Sequence, residues 1–188
     1  MLRVVTSMQS LDRVPNLAPD VLIRPCTVDD APALYAAVRE SAADLSPWMP
    51  WCHAGYSVHE ARTWLLTQVQ AFNQRRWFEF AIVDAGDRYL GQCGLNQMDE
   101  ANRRCNLGYW VRSAAAGRGV APSAVLRARD WAFEHTPLVR LEIVIAASNH
   151  RSLRVAEKVG AVREGRLRNR LLLHGAFHDA VMYSLTRV

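Results

Sequence analysis

The stretch YWVRSAAAGRGVAPSAV, residues 109 to 125, sets Gly117 and Gly119 just ahead of a predicted helix. Unpaired amides at a helix N-terminus and the positive end of its dipole attract phosphate, and glycine lets a ligand approach the backbone closely. Phosphate binding is one use of such a junction, and an ordinary turn is the other. Two familiar phosphate loops are excluded. A nucleoside-triphosphate loop needs Lys and then Ser or Thr after its last glycine, whereas Val120 and Ala121 follow Gly119. A dinucleotide fingerprint needs a third glycine where Pro122 stands, and no acidic residue closes a following strand at the proper distance. Cys26, Cys52, Cys93 and Cys105 lack paired close spacing, so neither zinc nor a disulfide framework is indicated, and reduced, mostly buried thiols are expected. His174 and His178 stand four apart but flank a predicted hairpin turn, so they share no helix face and metal ligation is not expected.

A strand and a helix must position the glycine loop. Leu107, Tyr109 and Val111 alternate with Gly108, Trp110 and Arg112, the period of a strand. Pro122 suits a first helical turn, and Val125, Ala128 and Ala132 follow at helical spacing. Upstream, the pattern predicts a strand over 21–25, a helix over 28–45, and a second helix opened by the capping box of Ser57 and Glu60. A hairpin over 77–95 turns at AGD, and the strand over 104–111 leads into the loop. A strand over 138–147, a short helix over 149–160 closed by Gly160, and a hairpin over 167–185 complete the chain. This order implies an α/β mixed sheet with helices on its faces.

At 188 residues and 50% hydrophobic, the chain reads as one domain over 20–188 preceded by a tail over 1–19. No apolar run approaches a membrane span and the first residues do not resemble a secretion signal, so a cytoplasmic protein without membrane contact is expected. The net charge of +5 is almost wholly arginine, Lys158 being the single lysine. Most arginines are scattered rather than clustered among aromatics, so direct nucleic-acid binding is not expected. In REGRLRNRLLL, Arg166, Arg168 and Arg170 fall on one face of a predicted strand, a stripe that could meet an acidic substrate or phosphate or could simply be solvated.

The element order, the GYWV strand, the AGRGVA loop and the later NHRS…AEKVGAV segment together resemble the GNAT superfamily of acetyl-CoA-dependent N-acetyltransferases, within it the RimJ/RimL-like group. The resemblance covers about residues 20 to 187. It implies a central, mostly antiparallel sheet of about seven strands, helices on both faces and splayed middle strands. It also implies that loop amides of Gly117, Arg118, Gly119, Val120 and Ala121 cradle the coenzyme A pyrophosphate. Ala116, Gly119 and Ala121 occupy the motif positions, and Ala116 departs from the usual long polar side chain. Arg118 is a candidate for a charge on a phosphate or for a solvent-facing arginine. Backbone groups near Trp110, Val111 and Arg112 are expected to pair with the pantetheine arm as a neighbouring strand would, and amides there could polarise the thioester carbonyl. Asn149 and Ser152 match the residues that begin the family's next helix, where each could also serve as a cap. Ser152 is the expected proton donor to the departing thiolate. WMPW resembles a tryptophan-containing stretch of RimJ/RimL-like proteins, which makes Trp48 and Trp51 candidates for the acceptor pocket or for the core.

The implied reaction is direct attack of a neutral amine on acetyl-CoA, without metal and without a covalent enzyme intermediate. The family often has Glu where Asn106 stands, so no base carries over from that position. Glu79 and Glu142 lie on predicted strands and could accept the proton directly or through water, or could be surface or ion-paired carboxylates. Three readings stay open. The first is acetylation of a protein or peptide N-terminus, including a ribosomal one; the second is acetylation of a small amine such as a polyamine, amino acid or antibiotic. The third is a noncatalytic module that binds coenzyme A or a ribosomal partner. A homodimer is compatible with each.

Overall fold

The computed structural model describes residues 17–187. It runs β1 (Leu22–Pro25), a 3-10 turn (Val28–Asp30), α1 (Ala31–Glu40), α2 (Ala42–Leu45) and α3 (Val58–Asn73). Next come β2 (Phe78–Val83), β3 (Tyr89–Asp99), β4 (Arg104–Val111), a 3-10 turn (Ser113–Ala115) and α4 (Val120–His135). β5 (Arg140–Ala146), α5 (His150–Lys158), β6 (Val162–Leu173) and β7 (Ala176–Thr186) follow. The capping box opens α3 as its spacing predicts: the Glu60 N–H donates to Ser57 Oγ at 3.2 Å, and the Ser57 N–H donates to Glu60 Oε2 at 3.0 Å. Gly119 caps α4 with φ +77°, and Gly160 follows α5 with φ +73°, left-handed positions that favour glycine.

The strands form one sheet in the order β1-β2-β3-β4-β5-β7-β6. All neighbours are antiparallel except β4 and β5. That parallel pair is joined only from Arg104↔Arg140 to Asn106↔Glu142, after which β4 continues to Val111 and β5 continues along β7 to Ala146↔Ala180. The sheet therefore opens between β4 and β5 beyond Asn106, as the resemblance implies. One core on the α4 and α5 face gathers Phe80, Leu95, Leu107, Leu126, Trp131 and Tyr183. The other, under α1 and α3, gathers Leu34, Val38, Leu65, Ala81 and Trp110. Burial on both faces explains why β2 reads as a nearly continuous apolar run.

Two expectations are corrected. The helix expected over 28–45 is interrupted at Ser41, whose backbone leaves the helical region at φ −105° and ψ 8°. Its buried hydroxyl accepts a hydrogen bond from the Ser113 N–H at 2.9 Å, a tie across 72 residues that no local pattern reveals. The basic stripe is broken as well. β6 slips register between Leu167 and Leu171, with Asn169 at φ +49°, so Arg166, Arg168 and Arg170 do not keep a regular strand alternation. Asp179 takes hydrogen bonds from Arg166 Nε at 2.8 Å and from the Asn169 N–H at 2.9 Å, pinning the bulge.

Of the expected tail, residues 1–16 lie outside the described residues; Leu17 and Ala18 pack on the core, where the Ala18 N–H donates to Ser123 Oγ at 3.0 Å. Cys26, Cys52, Cys93 and Cys105 are free and buried. His174 bonds the Ser46 carbonyl at 2.7 Å from the hairpin turn. Among the described residues no helix is long and apolar enough to cross a membrane.

Candidate active site

The face of the sheet under α1 and α3 carries a row with little in it. Glu79 on β2 pairs with Gly94 on β3, and Gly94 pairs with Gly108 on β4. The Glu79 carboxylate lies over Gly94, so a Cβ placed on Gly94 would fall on its Oε2. Gly108 is open instead: a Cβ there would meet only Asn106 Nδ2 at 3.8 Å and Asn96 Nδ2 at 4.0 Å. With neighbouring strands about 4.8 Å apart, this leaves a side-chain-free trough from the carboxylate across Gly108 to the opening beside β4. The enclosure disfavours charge and pushes the Glu79 carboxyl up to about 8.

Glu142 also faces this side, one row further along, but its surroundings are opposite in kind. Arg140 Nε donates to its Oε1 at 2.8 Å and Arg104 Nη1 at 3.0 Å. Burial raises its carboxyl, and the two guanidiniums outweigh burial and hold it below the ordinary range. Of the two carboxylates singled out in the sequence, Glu79 lines the open space and Glu142 is committed to ion pairs.

Above the trough is a cavity of about 480 Å³. Trp51 and Tyr56 from the connection between α2 and α3, Trp64 from α3, and Trp110 from β4 contribute its aromatic wall, while the Tyr109 ring lies on the other face of the sheet, against Ser152. Trp48 is absent from that lining, so the two tryptophans paired in the sequence part company. Tyr56 and Trp64 were not expected here. Trp64 and Glu60 stand four apart on α3, one helix face, which was the available signal.

At the β4 end, backbone directions decide what the opening can receive. The Arg112 N–H donates to the Leu90 carbonyl at 2.8 Å. By antiparallel alternation Trp110 also turns its backbone groups to β3, leaving those of Tyr109 and Val111 toward the opening. The expectation for Trp110 and Arg112 as strand-like partners is corrected accordingly. The Arg112 side chain is held by Glu40, with Nε 3.1 Å from Oε2, and by the Tyr89 carbonyl at 3.1 Å. Asp44 ties the loop's approach to α5, accepting from Ser113 Oγ at 2.5 Å and Arg151 Nη1 at 2.9 Å.

The glycine loop then turns through φ +75° at Gly117 and +77° at Gly119. Ala116, Gly117 and Arg118 are exposed, whereas Gly119, Val120 and Ala121 are buried at the start of α4. No side chain caps that start, and Ser123 makes the first helical bond, to the Gly119 carbonyl at 3.2 Å. A Cβ on Gly117 would meet nothing within 4 Å, so space remains before the amides. Across the opening, Asn149 caps α5 by accepting from the Ser152 N–H at 3.2 Å. The Ser152 hydroxyl is not a cap; it lies 2.9 Å from the Tyr109 hydroxyl, which also donates to the Ser152 carbonyl at 3.0 Å. Burial pushes the Tyr109 phenol up, and the bond to Ser152 offsets part of this.

A sheet that opens along one strand pair can take an extended arm as an added strand, and an uncapped helix start beside it suits the pyrophosphate such an arm carries. That combination is the class of the coenzyme A-dependent acyltransferases. The chain belongs to the Acetyltransferase (GNAT) domain family, whose model matches residues 20–162. It is 29% identical over 171 residues to "Putative ribosomal N-acetyltransferase YdaF" of Bacillus subtilis (strain 168), covering 89% of this chain and 91% of the relative. The solved structure of Mycobacterium smegmatis RimJ in complex with CoA-disulfide superposes with a TM-score of 0.81 at 27% identity, covering 93% of this chain and 84% of that one. Ribosomal-protein-S5-alanine acetyltransferase from Vibrio fischeri shares the fold, with a TM-score of 0.81 at 24% identity, covering 90% of this chain and 94% of that one. The chain is thus an N-acetyltransferase of the RimJ/RimL-like kind that uses acetyl-CoA.

Proposed function

We propose that the acceptor is the α-amine of a protein or peptide N-terminus and that Glu79 is the base that receives its proton. The Glu79 carboxylate, set on the floor of the cavity and separated from the β4–β5 opening only by Gly108, carries this reading. Its carboxyl near 8 matches an α-amine at about 7.7 to 8.0, so proton transfer between them is close to even. A lysine side chain at about 10.4 would have to lose its proton uphill. The names of the relatives, which refer to ribosomal proteins, support a protein N-terminus and with it a cytoplasmic setting.

Acetyl-CoA supplies an activated acetyl group and a thiolate that departs. Amides from Gly117 to Ala121 hold its pyrophosphate, with Ala116 and the exposed Arg118 at the edge of that cradle. Val111 and Tyr109 offer backbone groups to the arm, and Asn149 fixes the start of α5 on the other bank. Glu79 takes a proton from the amine directly or through one water. Ser152, held by Tyr109, gives a proton to the leaving sulfur.

Peptides with a free N-terminus are expected to be acetylated at that amine, whereas the same peptides blocked there and carrying an internal lysine should react far more slowly. Mass spectrometry of the products decides, and acetate confined to lysine side chains would overturn the reading. Ser152→Ala tests the leaving-group side. Tyr109 keeps its bond to the Ser152 carbonyl when the hydroxyl is removed, so Tm should fall only slightly, by about 0.5 to 1.5 kcal/mol of stability, while kcat and kcat/KM fall together on the order of tenfold. Normal turnover would make the hydroxyl structural.

A further inference from the structure

The wall of the acceptor cavity is unusually one-sided in its chemistry. Its aromatics come from three separate parts of the chain and stand at angles that leave ring faces open: Trp51 lies 6.1 Å from Trp110 at 58° and 5.9 Å from Tyr56 at 55°. Trp51 is 42% exposed, a large apolar surface left at the rim of a cavity. The polar atoms nearby are largely spoken for. Trp110 Nε1 donates to Gln92 Oε1 at 3.1 Å, and the other end of Gln92 approaches Cys26 Sγ at 3.7 Å. Glu60 accepts from the Ser57 N–H at 3.0 Å and Ser57 Oγ at 2.9 Å, and His53 Nε2 lies 3.0 Å from its other oxygen. What remains is a cavity of about 480 Å³, at the small end of the ordinary range for sites that enclose organic ligands, with one unpartnered carboxylate on its floor.

We propose that this site selects an acceptor whose amine-bearing carbon carries a large apolar or aromatic group, seated among Trp51, Tyr56, Trp64 and Trp110 with the amine over Gly108. The inference rests on the assignment of this cavity to the acceptor and adds the class of side chain it prefers. A methyl or hydroxymethyl group on that carbon is too short to fill the aromatic end, so it leaves ring faces in contact with water. An aryl or branched aliphatic group covers them, and apolar area removed from water is favourable roughly in proportion to its extent. Ring-on-ring contacts at open angles add to that preference. Glu79 is the one carboxylate on the floor without a partner, whereas Glu60 at the rim accepts from Ser57 and faces His53.

The test compares kcat/KM for peptides identical except for a first residue of Phe, Leu, Ala or Ser, together with phenethylamine, ethylamine and spermidine. Phe and Leu are expected to exceed Ala and Ser by tenfold or more, since one buried methylene alone can be worth about tenfold. Phenethylamine should exceed ethylamine by a similar factor. Trp51→Ala should pull the Phe-to-Ala ratio at least threefold toward one, and Trp51→Phe should largely keep it; at this exposed position both variants should keep the fold. Equal or better turnover of the Ala and Ser peptides, spermidine outrunning every apolar acceptor, or an unchanged ratio in Trp51→Ala would each overturn the inference. Preference for phenethylamine with no turnover of any peptide would overturn the N-terminal reading and leave the side-chain preference standing. Turnover of none of these acceptors overturns both.

Discussion

Glu79→Gln is expected to lower kcat/KM by about 10²- to 10⁴-fold, the usual loss when a positioned base is removed, with acetyl-CoA binding unaffected. In the parent one proton must leave the Glu79–amine pair before attack, so log kcat/KM should rise with a limiting slope of one below about 7.5. Stability moves in the opposite direction. A carboxyl raised in the folded state favours folding while protonated: its contribution is full below the ordinary value of 4.5 and is lost as pH rises through about 8. Over that interval of 3.5, at 1.36 kcal/mol per unit, the parent should lose up to about 5 kcal/mol that Glu79→Gln does not lose. At pH 9 the variant should melt higher than the parent while turning over far less. A variant as active as the parent would remove Glu79 as the base.

What made Glu79 the better of two carboxylates was not present in its own neighbourhood of the sequence. Glu79 and Glu142 are each single acids in apolar strands, and both read as candidate bases. They differ in what stands opposite: Gly94 across β3 for one, Arg104 and Arg140 for the other. Register over distances such as the 38 residues from Arg104 to Glu142 is a property of the assembled sheet. The features that were legible are the local ones. Gly119 and Gly160 mark helix ends because left-handed backbone favours glycine, and Ser57 and Glu60 mark a start because their spacing closes two hydrogen bonds. The break at Ser41 and the bulge at Asn169 escaped because Ser113 and Asp179, their partners, lie elsewhere in the chain. Tyr109 read correctly as strand, yet its contact with Ser152, 43 residues on, depends on the sheet opening between β4 and β5.

Gly108→Val should abolish acceptor turnover, by about 100-fold or more, in a protein that folds at least as well as the parent. The loss corresponds to roughly 2.7 kcal/mol of transition-state binding, the scale for displacing a reacting group from a position it must occupy. The structural cost is small. A Cβ at this position meets Asn106 Nδ2 at 3.8 Å and Asn96 Nδ2 at 4.0 Å, ordinary contacts, and Gly108 is not among the glycines with positive φ. Valine also suits a strand better than glycine, whose conformational freedom weakens a strand interior by roughly 0.5 to 1 kcal/mol. An unoccupied and tolerant position in the middle of β4 is explained if something other than the protein fills it. Gly94→Ala provides the contrast, because its Cβ would fall on the Glu79 carboxylate and displace the base itself. Both variants should be slow, but only Gly108→Val should keep the parent's decline in stability between pH 4.5 and about 8, which reports Glu79 still in its enclosure. Turnover of Gly108→Val within threefold of the parent would move the acceptor off this row of the sheet.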